Sequence, residues 1–305
     1  MMTMATKMSM PSPETRPAIE LSPNDRVAVI AGSGRLPVNV AAGLKAAGHP
    51  PFVVITGGER TEVDELTTYD HATIELERMA DLIPLLKRER ITHVVLAGGI
   101  GRRPRLTRLK PSRYMLTTML PRLASALGKG DNALLATLVG FIEEVGPKVV
   151  GAHEVVPDLL AIEGAITKAK PKTADYRDLN AAFSAAKAVG ALDIGQAVVA
   201  IGGRVVAVEG VEGTDGLLAR AAALRSHPRL AGKKRGVIVK CAKPGQELRA
   251  DLPAIGPQTV RAAYDAGLAG IGVEAGHSLI LDYETVRTSA DALGLFVVGL
   301  PGGKP

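Results

Sequence analysis

The sequence has 305 residues, which at ~150 residues per domain predicts about two domains, and its 46% apolar and 22% charged residues exclude an intrinsically disordered chain. No apolar run approaches the ~20 residues that cross a bilayer. The single cysteine, Cys241, excludes intrachain disulfides and Cys-cluster metal sites, and it favours a reducing cytoplasm. The formal net charge of +6 comes from one basic stretch, because Lys87 to Lys129 has eleven Lys/Arg and one acid, whereas the rest of the chain has 26 basic and 30 acidic residues.

The first 24 residues are predicted as a disordered tail. They contain five of the eight methionines and four prolines, but no apolar core of a signal peptide. We expect packed structure from residue 25, with one domain at 25–156 and a second at 157–305.

Apolar runs alternate with helix-like segments in the first domain. Strands are predicted at Arg26–Ala31, Pro51–Thr56 and Thr92–Ala97, and helices at Pro37–Leu44 and Ile74–Arg88. Each apolar run is short, as in strands that are buried on both faces. The alternation predicts parallel strands joined by crossover helices, and therefore a Rossmann-like N-terminal domain.

Glycine loops follow the first and third of these strands. Gly32-Ser33-Gly34 leads into a helix whose N-terminal amides suit a phosphate, and a tight turn is an equally good interpretation. Pro37 stands where the dinucleotide fingerprint needs its third glycine, and no Walker lysine follows, so NAD and P-loop nucleotide binding are disfavoured. The loop at 98–101 reaches the same crevice at the carboxyl ends of the strands. The candidate substrate-binding residues here are Gly32, Ser33, Gly34 and Gly99.

The basic stretch Arg102 to Arg113 follows the second glycine loop. Its basic residues attract phosphates or anionic lipid, since each basic residue near an anionic membrane surface contributes ~1 kcal/mol, and a solvated surface is the alternative. The chain has no Trp and 3% aromatic residues, so it lacks stacking platforms and nucleic-acid binding is disfavoured.

Two polar residues, Asp131 and Asn132, precede a helix predicted at Ala133–Glu144. They are candidates for substrate binding, and capping of that helix explains them equally well.

An acidic cluster marks the second domain, which is predicted as a distinct α/β unit. A β-hairpin with Gly202-Gly203 at its turn leads into Glu209, Glu212 and Asp215 at a strand-to-helix junction. The helix is predicted to begin at about Gly216, which leaves Asp215 as either a functional carboxylate or the helix cap.

The strand at 236–240 carries Lys240 at its end, and Lys243 follows. Lysines neutralise phosphate oxygens, while carboxylates hold a hard cation such as Mg²⁺, so both charges needed for pyrophosphate chemistry are present. Asp215 with Glu212 would suffice for Mg²⁺, and ion pairing between these groups is the alternative. No His-Glu-x-x-His, Gly-x-Ser-x-Gly or Nudix-type motif occurs, so the motifs by themselves indicate an α/β protein that binds a phosphorylated ligand.

Ordered motifs from about Val27 to the C-terminus resemble the LpxI-type UDP-2,3-diacylglucosamine pyrophosphatases of lipid A biosynthesis. The segments that carry the resemblance are Ile30-Ala-Gly-Ser-Gly-Arg-Leu-Pro37, Gly98-Gly99 with Arg102-Arg103-Pro104, Gly130-Asp131-Asn132-Ala-Leu-Leu, Gly151-Ala-His-Glu, Asp193-Ile-Gly-Gln196-Ala-Val-Val, Glu212-Gly-Thr-Asp215, Lys243-Pro-Gly-Gln246 and Asp251-Leu-Pro-Ala-Ile-Gly-Pro257. The chain departs from the family pattern at Glu247, where we expect Asp, and at Gly216, where a small residue such as Ala is usual.

The resemblance implies a magnesium-dependent hydrolase that splits UDP-2,3-diacylglucosamine into UMP and 2,3-diacylglucosamine 1-phosphate, with water attacking the β-phosphorus. Asp215 is then the essential residue, as a Mg²⁺ ligand or by orienting the water. Glu212 assists it as catalytic residue and metal ligand, and Lys240 and Lys243 neutralise the phosphates. Gln196 and Thr214, in the shared motifs, are expected to contact substrate.

The expected location is the cytoplasm, in peripheral contact with the inner membrane, and a homodimer is left open. A non-catalytic UDP-sugar or nucleotide sensor is the alternative function, since phosphate cradles also serve binding. The carboxylate cluster argues against a sensor, because acids beside a phosphate oppose binding unless a metal joins them.

Overall fold

A computed structural model of the chain describes residues 19–57, 63–99, 131–230, 232 and 235–302. These residues form two α/β units, one around a parallel sheet and one around a separate mixed sheet. The predicted fold class is confirmed: a Rossmann-like N-terminal domain is followed by a distinct α/β C-terminal domain. None of the helices in the described ranges is long and apolar enough to cross a membrane.

The N-terminal domain contains a five-stranded parallel sheet in the order β3-β2-β1-β4-β5. Its strands are β1 (Val27–Ala31), β2 (Phe52–Gly57), β3 (His71–Glu75), β4 (His93–Ala97) and β5 (Lys148–Val150). Its helices are α1 (Leu36–Ala46), α2 (Val63–Leu66), α3 (Leu82–Arg88), α4 (Asp131–Glu143) and α5 (Ala152–Val155), with 3-10 turns at Leu76–Asp81 and Pro157–Leu159. Every residue of β1 is buried, which explains its uninterrupted apolar sequence.

Strand β3 is missed by the sequence interpretation, which places a helix from Ile74. The helix α3 begins only at Leu82, after β3 and a 3-10 turn. Because β3 is an edge strand on which Ile74 alone is buried, its polar sequence lacks the apolar run of the central strands.

The C-terminal domain contains a six-stranded mixed sheet in the order β6-β13-β11-β9-β7-β8, and β10 pairs with β12 separately. The strands are β6 (Gly164–Ala165), β7 (Ala197–Ile201), β8 (Arg204–Val208), β9 (Val237–Lys240), β10 (Ala254–Ile255), β11 (Gly270–Glu274), β12 (Leu279–Ile280) and β13 (Phe296–Leu300). The helices are α6 (Thr173–Ala191), α7 (Gly213–Leu224), α8 (Pro257–Asp265) and α9 (Tyr283–Leu293), with a 3-10 turn at Pro228–Leu230.

The predicted hairpin brings the ends of two strands to one edge of this sheet. Gly202 and Gly203 have φ values of 64° and 80°, as a two-residue type I′ turn requires. Strand β7 runs antiparallel to both β8 and β9, so β8 and β9 are parallel to each other. Their carboxyl ends therefore lie at the same edge, on either side of the start of β7.

Helix α7 begins at Gly213, three residues before the predicted start at Gly216. Gly213 has a φ of +72°, a conformation that favours glycine, and it turns the chain from the strand end into the helix. Glu212 occupies the cap position without a capping side-chain bond, so Asp215 lies in the first turn and is not the cap.

An apolar cluster joins the two domains. Leu279 of β12 is buried in it together with Val27 and Leu44 of the first domain, and Leu252 and Leu281 pack against its edge. The last residues of the predicted tail, 19–24, belong to this packed region, since Ile19 packs on the cluster and its amide donates to the Glu154 carbonyl. Packing therefore begins earlier than the predicted boundary at residue 25, and the rest of the tail lies outside the described residues.

Candidate functional site

The centre of the candidate site is the ammonium group of Lys240, at the carboxyl end of β9. The residue is only 9% exposed. Its Nζ donates to Thr214 Oγ1 at 3.0 Å and to the Ala254 carbonyl at 3.1 Å. An ammonium has three N–H donors, so among the described partners one donor is left for a ligand oxygen.

Glu209 follows β8 at the same edge and holds Thr214 in place. Its buried carboxylate accepts the Gln196 and Ala197 amides on Oε2, at 2.8 and 3.1 Å. Thr214 Oγ1 donates to Oε1 at 2.7 Å. Glu209, Thr214 and Lys240 thus form a continuous hydrogen-bonded chain.

Two further carboxylates, Asp215 and Asp251, lie within electrostatic range of Lys240. Burial lowers the pKa of Lys240, and the negative charges of Glu209, Asp251 and Asp215 oppose that effect. Asp215 lies in the first turn of α7, and Asp251 lies in the loop before β10. Neither carboxylate accepts a hydrogen bond from another residue in the described part of the chain, so both are available to a ligand.

Glu212 is held on the surface of α7. Its carboxylate pairs with Arg220, which also donates to the Val208 carbonyl at 2.6 Å. The hydrogen bond from its own backbone amide and the charge of Arg220 lower the pKa of Glu212. A Cβ at Gly216 would lie 2.6 Å from Glu212 Cγ, which explains the glycine there. The structure thus gives Glu212 a partner other than Lys240, and its catalytic and metal-binding roles stay predictions.

Lys243 lies beside the end of α6 rather than in the hydrogen-bonded chain of Lys240. Its Nζ donates to Asp193 Oδ1 at 2.7 Å, and its amide donates to Gln246 Oε1 at 3.0 Å. Asp193 takes one of the three N–H donors of this ammonium, and the predicted contact of Lys243 with the phosphates stays a prediction.

Gln196 is placed beside the site by the start of β7. Its amide donates to Glu209, and its carbonyl accepts the Cys241 amide. Its side-chain Oε1 is buried with no partner among the described residues. This unpartnered acceptor is consistent with the predicted contact to substrate.

The two glycine loops of the N-terminal domain bind each other. The Gly32 amide donates to the Ala97 carbonyl at 2.8 Å, and the Ser33 amide and hydroxyl donate to the Gly99 carbonyl at 2.7 and 3.0 Å. A Cβ on Gly32 would lie 2.4 Å from that same carbonyl oxygen. These amides are therefore not free for a phosphate, which corrects that part of the prediction. The amide of Gly34 has no partner in the described ranges and stays a candidate.

The remaining predicted positions lie partly or wholly outside the described residues. Asp131 and Asn132 are the first described residues of α4, and their side chains lie outside the description. The basic stretch Arg102 to Arg113 lies entirely outside the described residues.

Sequence reasoning assigned no role to Asp251 and left Glu209 as an unassigned member of the acidic cluster. Asp251 is eleven positions beyond Lys240 in the sequence, and it begins a segment that carries the family resemblance but to which no chemical role was given. The sequence showed that Glu209 directly follows a hairpin strand. Its contact with the start of β7 depends on how the strands pair, which the sequence did not show.

Asp215 and Asp251, the two carboxylates within electrostatic range of Lys240 that are unpaired among the described residues, are of the donor type that holds a hard cation. No group of three or more His, Cys, Asp and Glu side chains suited to a metal occurs in the described part of the molecule. Mg²⁺ is usually bound by one or two carboxylates together with substrate phosphates and water, so two free carboxylates are sufficient donors.

Comparison with known proteins covers nearly the whole chain. Residues 26–159 match the model of the LpxI N-terminal domain, and residues 162–298 match that of the LpxI C-terminal domain. The chain is 39% identical over 277 residues to the UDP-2,3-diacylglucosamine pyrophosphatase LpxI of Caulobacter vibrioides, covering 90% of this chain and 97% of the relative. The resemblance inferred from the motifs is confirmed, and the chain belongs to the LpxI family.

Proposed function

We propose that the protein is an enzyme of lipid A biosynthesis that hydrolyses the pyrophosphate bond of UDP-2,3-diacylglucosamine. The products are UMP and 2,3-diacylglucosamine 1-phosphate. The observation that carries this proposal is the buried Lys240 ammonium beside the free Asp215 and Asp251 carboxylates, in a chain whose relative is named for this pyrophosphatase activity.

Lys240 neutralises the phosphate in this proposal. Its remaining N–H donor reaches a pyrophosphate oxygen, and burial strengthens that interaction because little water screens it. The group is already held by Thr214 and the Ala254 carbonyl, so it does not have to reorganise when charge develops on the leaving oxygen.

Asp215 is the proposed catalytic carboxylate. It orients the attacking water or binds Mg²⁺, and Asp251 is the second oxygen donor that the structure offers. Mg²⁺, when bound, supplies Lewis-acid stabilisation of the phosphate oxygens. Glu212, the predicted second carboxylate, pairs with Arg220 through Oε1.

Water attack on the β-phosphorus balances without a covalent intermediate. The new bond joins the water oxygen to the β-phosphorus, and the bond to the bridging oxygen breaks. The bridging oxygen leaves with UMP and keeps the electron pair of the broken bond, while the water oxygen remains in 2,3-diacylglucosamine 1-phosphate. The two protons of the water pass to the product phosphates or to solvent. This course explains why the described residues need no nucleophile motif.

The acylated substrate places the enzyme at a membrane surface. We propose a cytoplasmic protein in peripheral contact with the inner membrane through the basic stretch Arg102 to Arg113, since anionic lipid attracts clustered basic residues.

The test is incubation of the purified full chain with UDP-2,3-diacylglucosamine and Mg²⁺ in ¹⁸O-labelled water, with and without EDTA. We expect UMP release that EDTA abolishes, with ¹⁸O in the lipid phosphate only. Label in UMP would place the attack on the α-phosphorus. A folded protein that binds the lipid nucleotide and releases no UMP would instead be the sensor.

A further inference from the structure

Three strand ends of the C-terminal sheet meet at one short hydrogen-bonded chain. Glu209 follows β8, Gln196 precedes β7 and Lys240 ends β9. Glu209 is 6% exposed, and its carboxylate accepts three hydrogen bonds, from two amides on Oε2 and from Thr214 on Oε1. It therefore joins the rigid sheet to the first turn of α7.

The groups at the two ends of this hydrogen-bonded chain, a carboxylate and an ammonium, fix the direction of the hydrogen bonds between them. The carboxylate of Glu209 only accepts, so Thr214 must donate its single hydroxyl proton to it. An ammonium only donates, so the Thr214 oxygen must accept from Lys240. The hydroxyl is thereby fixed as an acceptor for Lys240, and its proton is not available to substrate.

We propose that Glu209 is a positioning residue that acts through Thr214 to orient the Lys240 ammonium toward the substrate phosphate. This inference rests on the proposed function and extends it to a residue that never touches the substrate. Thr214 is then the link between Glu209 and Lys240 rather than a donor to the substrate.

Two glycines in the surrounding loops allow the close approach of Glu209 and Thr214. A Cβ at Gly195 would lie 2.3 Å from the Glu209 carbonyl oxygen, so glycine permits the close approach that brings the two amides to the carboxylate. Gly213, with its φ of +72°, starts α7 immediately before Thr214. The backbone at these two glycines thus allows the carboxylate and the hydroxyl to meet.

The test compares Thr214→Val, which keeps the shape and removes the hydroxyl, with Thr214→Ser, which keeps the hydroxyl. Glu209→Gln is the third variant, because its amide nitrogen would donate to the Thr214 oxygen and compete with Lys240. Thr288→Val is the matched control: this exposed threonine on α9 donates to the Glu284 carbonyl, far from any predicted function.

We expect kcat to fall about 10- to 100-fold in Thr214→Val and Glu209→Gln, as for the loss of a charge-assisted hydrogen bond, with KM changed less than about threefold. Thr214→Ser should restore kcat to within about threefold of wild type, and Thr288→Val should leave it unchanged. Equal kcat in folded Thr214→Val and Thr288→Val would overturn the proposal, as would a Thr214→Ser variant no better than Thr214→Val.

A spectroscopic measurement separates this proposal from the proposed function. Lysine ammonium ¹H–¹⁵N signals are recorded for each variant without substrate, and the Lys240 signal is assigned by its loss in Lys240→Arg. We expect it to shift or broaden in Thr214→Val and Glu209→Gln and to persist in Thr214→Ser. The signal of Lys187, whose ammonium binds Glu274 at 2.7 and 2.9 Å, is the internal control.

An unchanged Lys240 signal in Thr214→Val would refute the link whatever the activity. If wild type releases no UMP, the proposed function fails, and the Lys240 signal alone still decides whether Glu209 and Thr214 hold this ammonium.

Discussion

Arg35 of the N-terminal domain binds Asp282 of the C-terminal domain through both carboxylate oxygens. The guanidinium Nε lies 3.1 Å from Oδ2, and Nη2 lies 3.3 Å from Oδ1. Asn39 adds a reciprocal pair, with its Nδ2 donating to Oδ1 at 2.9 Å and its Oδ1 accepting the Asp282 amide at 2.7 Å. Because Arg35 directly follows the first glycine loop, this contact links that loop to the second domain.

Asp282→Asn should weaken this link without straining the backbone. Asp282 has a φ of +50°, a conformation that Asn also tolerates, so the substitution removes mainly the charge. We expect the free energy of unfolding to fall by about 1 kcal/mol, since both side chains are partly exposed, and a cycle with Arg35→Gln to show coupling. The measurement is urea unfolding, and the control is Asp265→Asn, which removes an exposed pair with Arg261. Additive effects of the two substitutions would argue against the link.

Asp215→Asn should abolish turnover while the fold survives. The Asp215 carboxylate is free among the described residues, so its loss should lower kcat by about 100-fold or more without changing the unfolding midpoint. Glu212→Gln should lower kcat much less, because Arg220 already engages that carboxylate. Glu284→Gln, on the exposed face of α9, is the control. An equal loss in Glu212→Gln would restore Glu212 to the catalytic pair that the sequence predicts.

Gly32→Ala should destabilise the N-terminal domain. The added Cβ would lie 2.4 Å from the Gly99 carbonyl oxygen and 2.9 Å from that of Gly98, and neither backbone group moves freely. We expect a loss of about 1–3 kcal/mol in thermal unfolding. Gly140→Ala is the control, since a Cβ at this position of α4 meets no atom within 4 Å and should stabilise the helix slightly. A normal melting temperature for Gly32→Ala would show that the loops separate easily.

Stability should fall in acid through Asp175. Burial acts to raise the pKa of this carboxyl, but hydrogen bonds from Arg235 and from the Lys172 amide outweigh it, so the pKa lies below its ordinary value of 3.8. The folded state therefore binds this proton less readily than the unfolded state. The stabilisation is complete above the unfolded-state pKa and is lost as pH falls through the folded-state value.

Asp175→Asn tests this pH dependence. At pH 7 the variant should be less stable than wild type by about 1–3 kcal/mol, and the difference should shrink as both are taken below about pH 3.5. Urea unfolding as a function of pH measures it. A difference that is constant with pH would show that the charge of Asp175 contributes nothing to the loss.

Neutralising Arg105, Arg108 and Lys110 should weaken sedimentation with anionic vesicles. Each basic residue near such a surface contributes ~1 kcal/mol, so three substitutions should lower the partition coefficient by at least about tenfold. Substitution of the exposed Arg204, Arg229 and Arg261 is the charge-matched control. Unchanged sedimentation with a lower rate on substrate would assign the stretch to the nucleotide phosphates.

Much of the fold was predictable because its signals are local. The buried strands are visible in the sequence as short apolar runs. Gly202-Gly203 predicts the hairpin turn because both turn residues need a positive φ, which glycine favours. The edge strand β3 was not predicted, because only Ile74 on it is buried and its sequence has no apolar run. Asp215 was found as a candidate because it lies in an acidic cluster at a strand-to-helix junction, and Lys240 because it ends a strand.

The sequence by itself determined the alternation of strands and helices, the family and the residue types available for pyrophosphate chemistry. Only the tertiary structure decided which of these side chains meet. Strand order places Glu209 and Lys240 on either side of the start of β7, while Arg220 engages Glu212 and Asp193 engages Lys243. The physical reason is that periodicity and turn preference act over a few residues, whereas pairing and burial join residues that are distant in the chain.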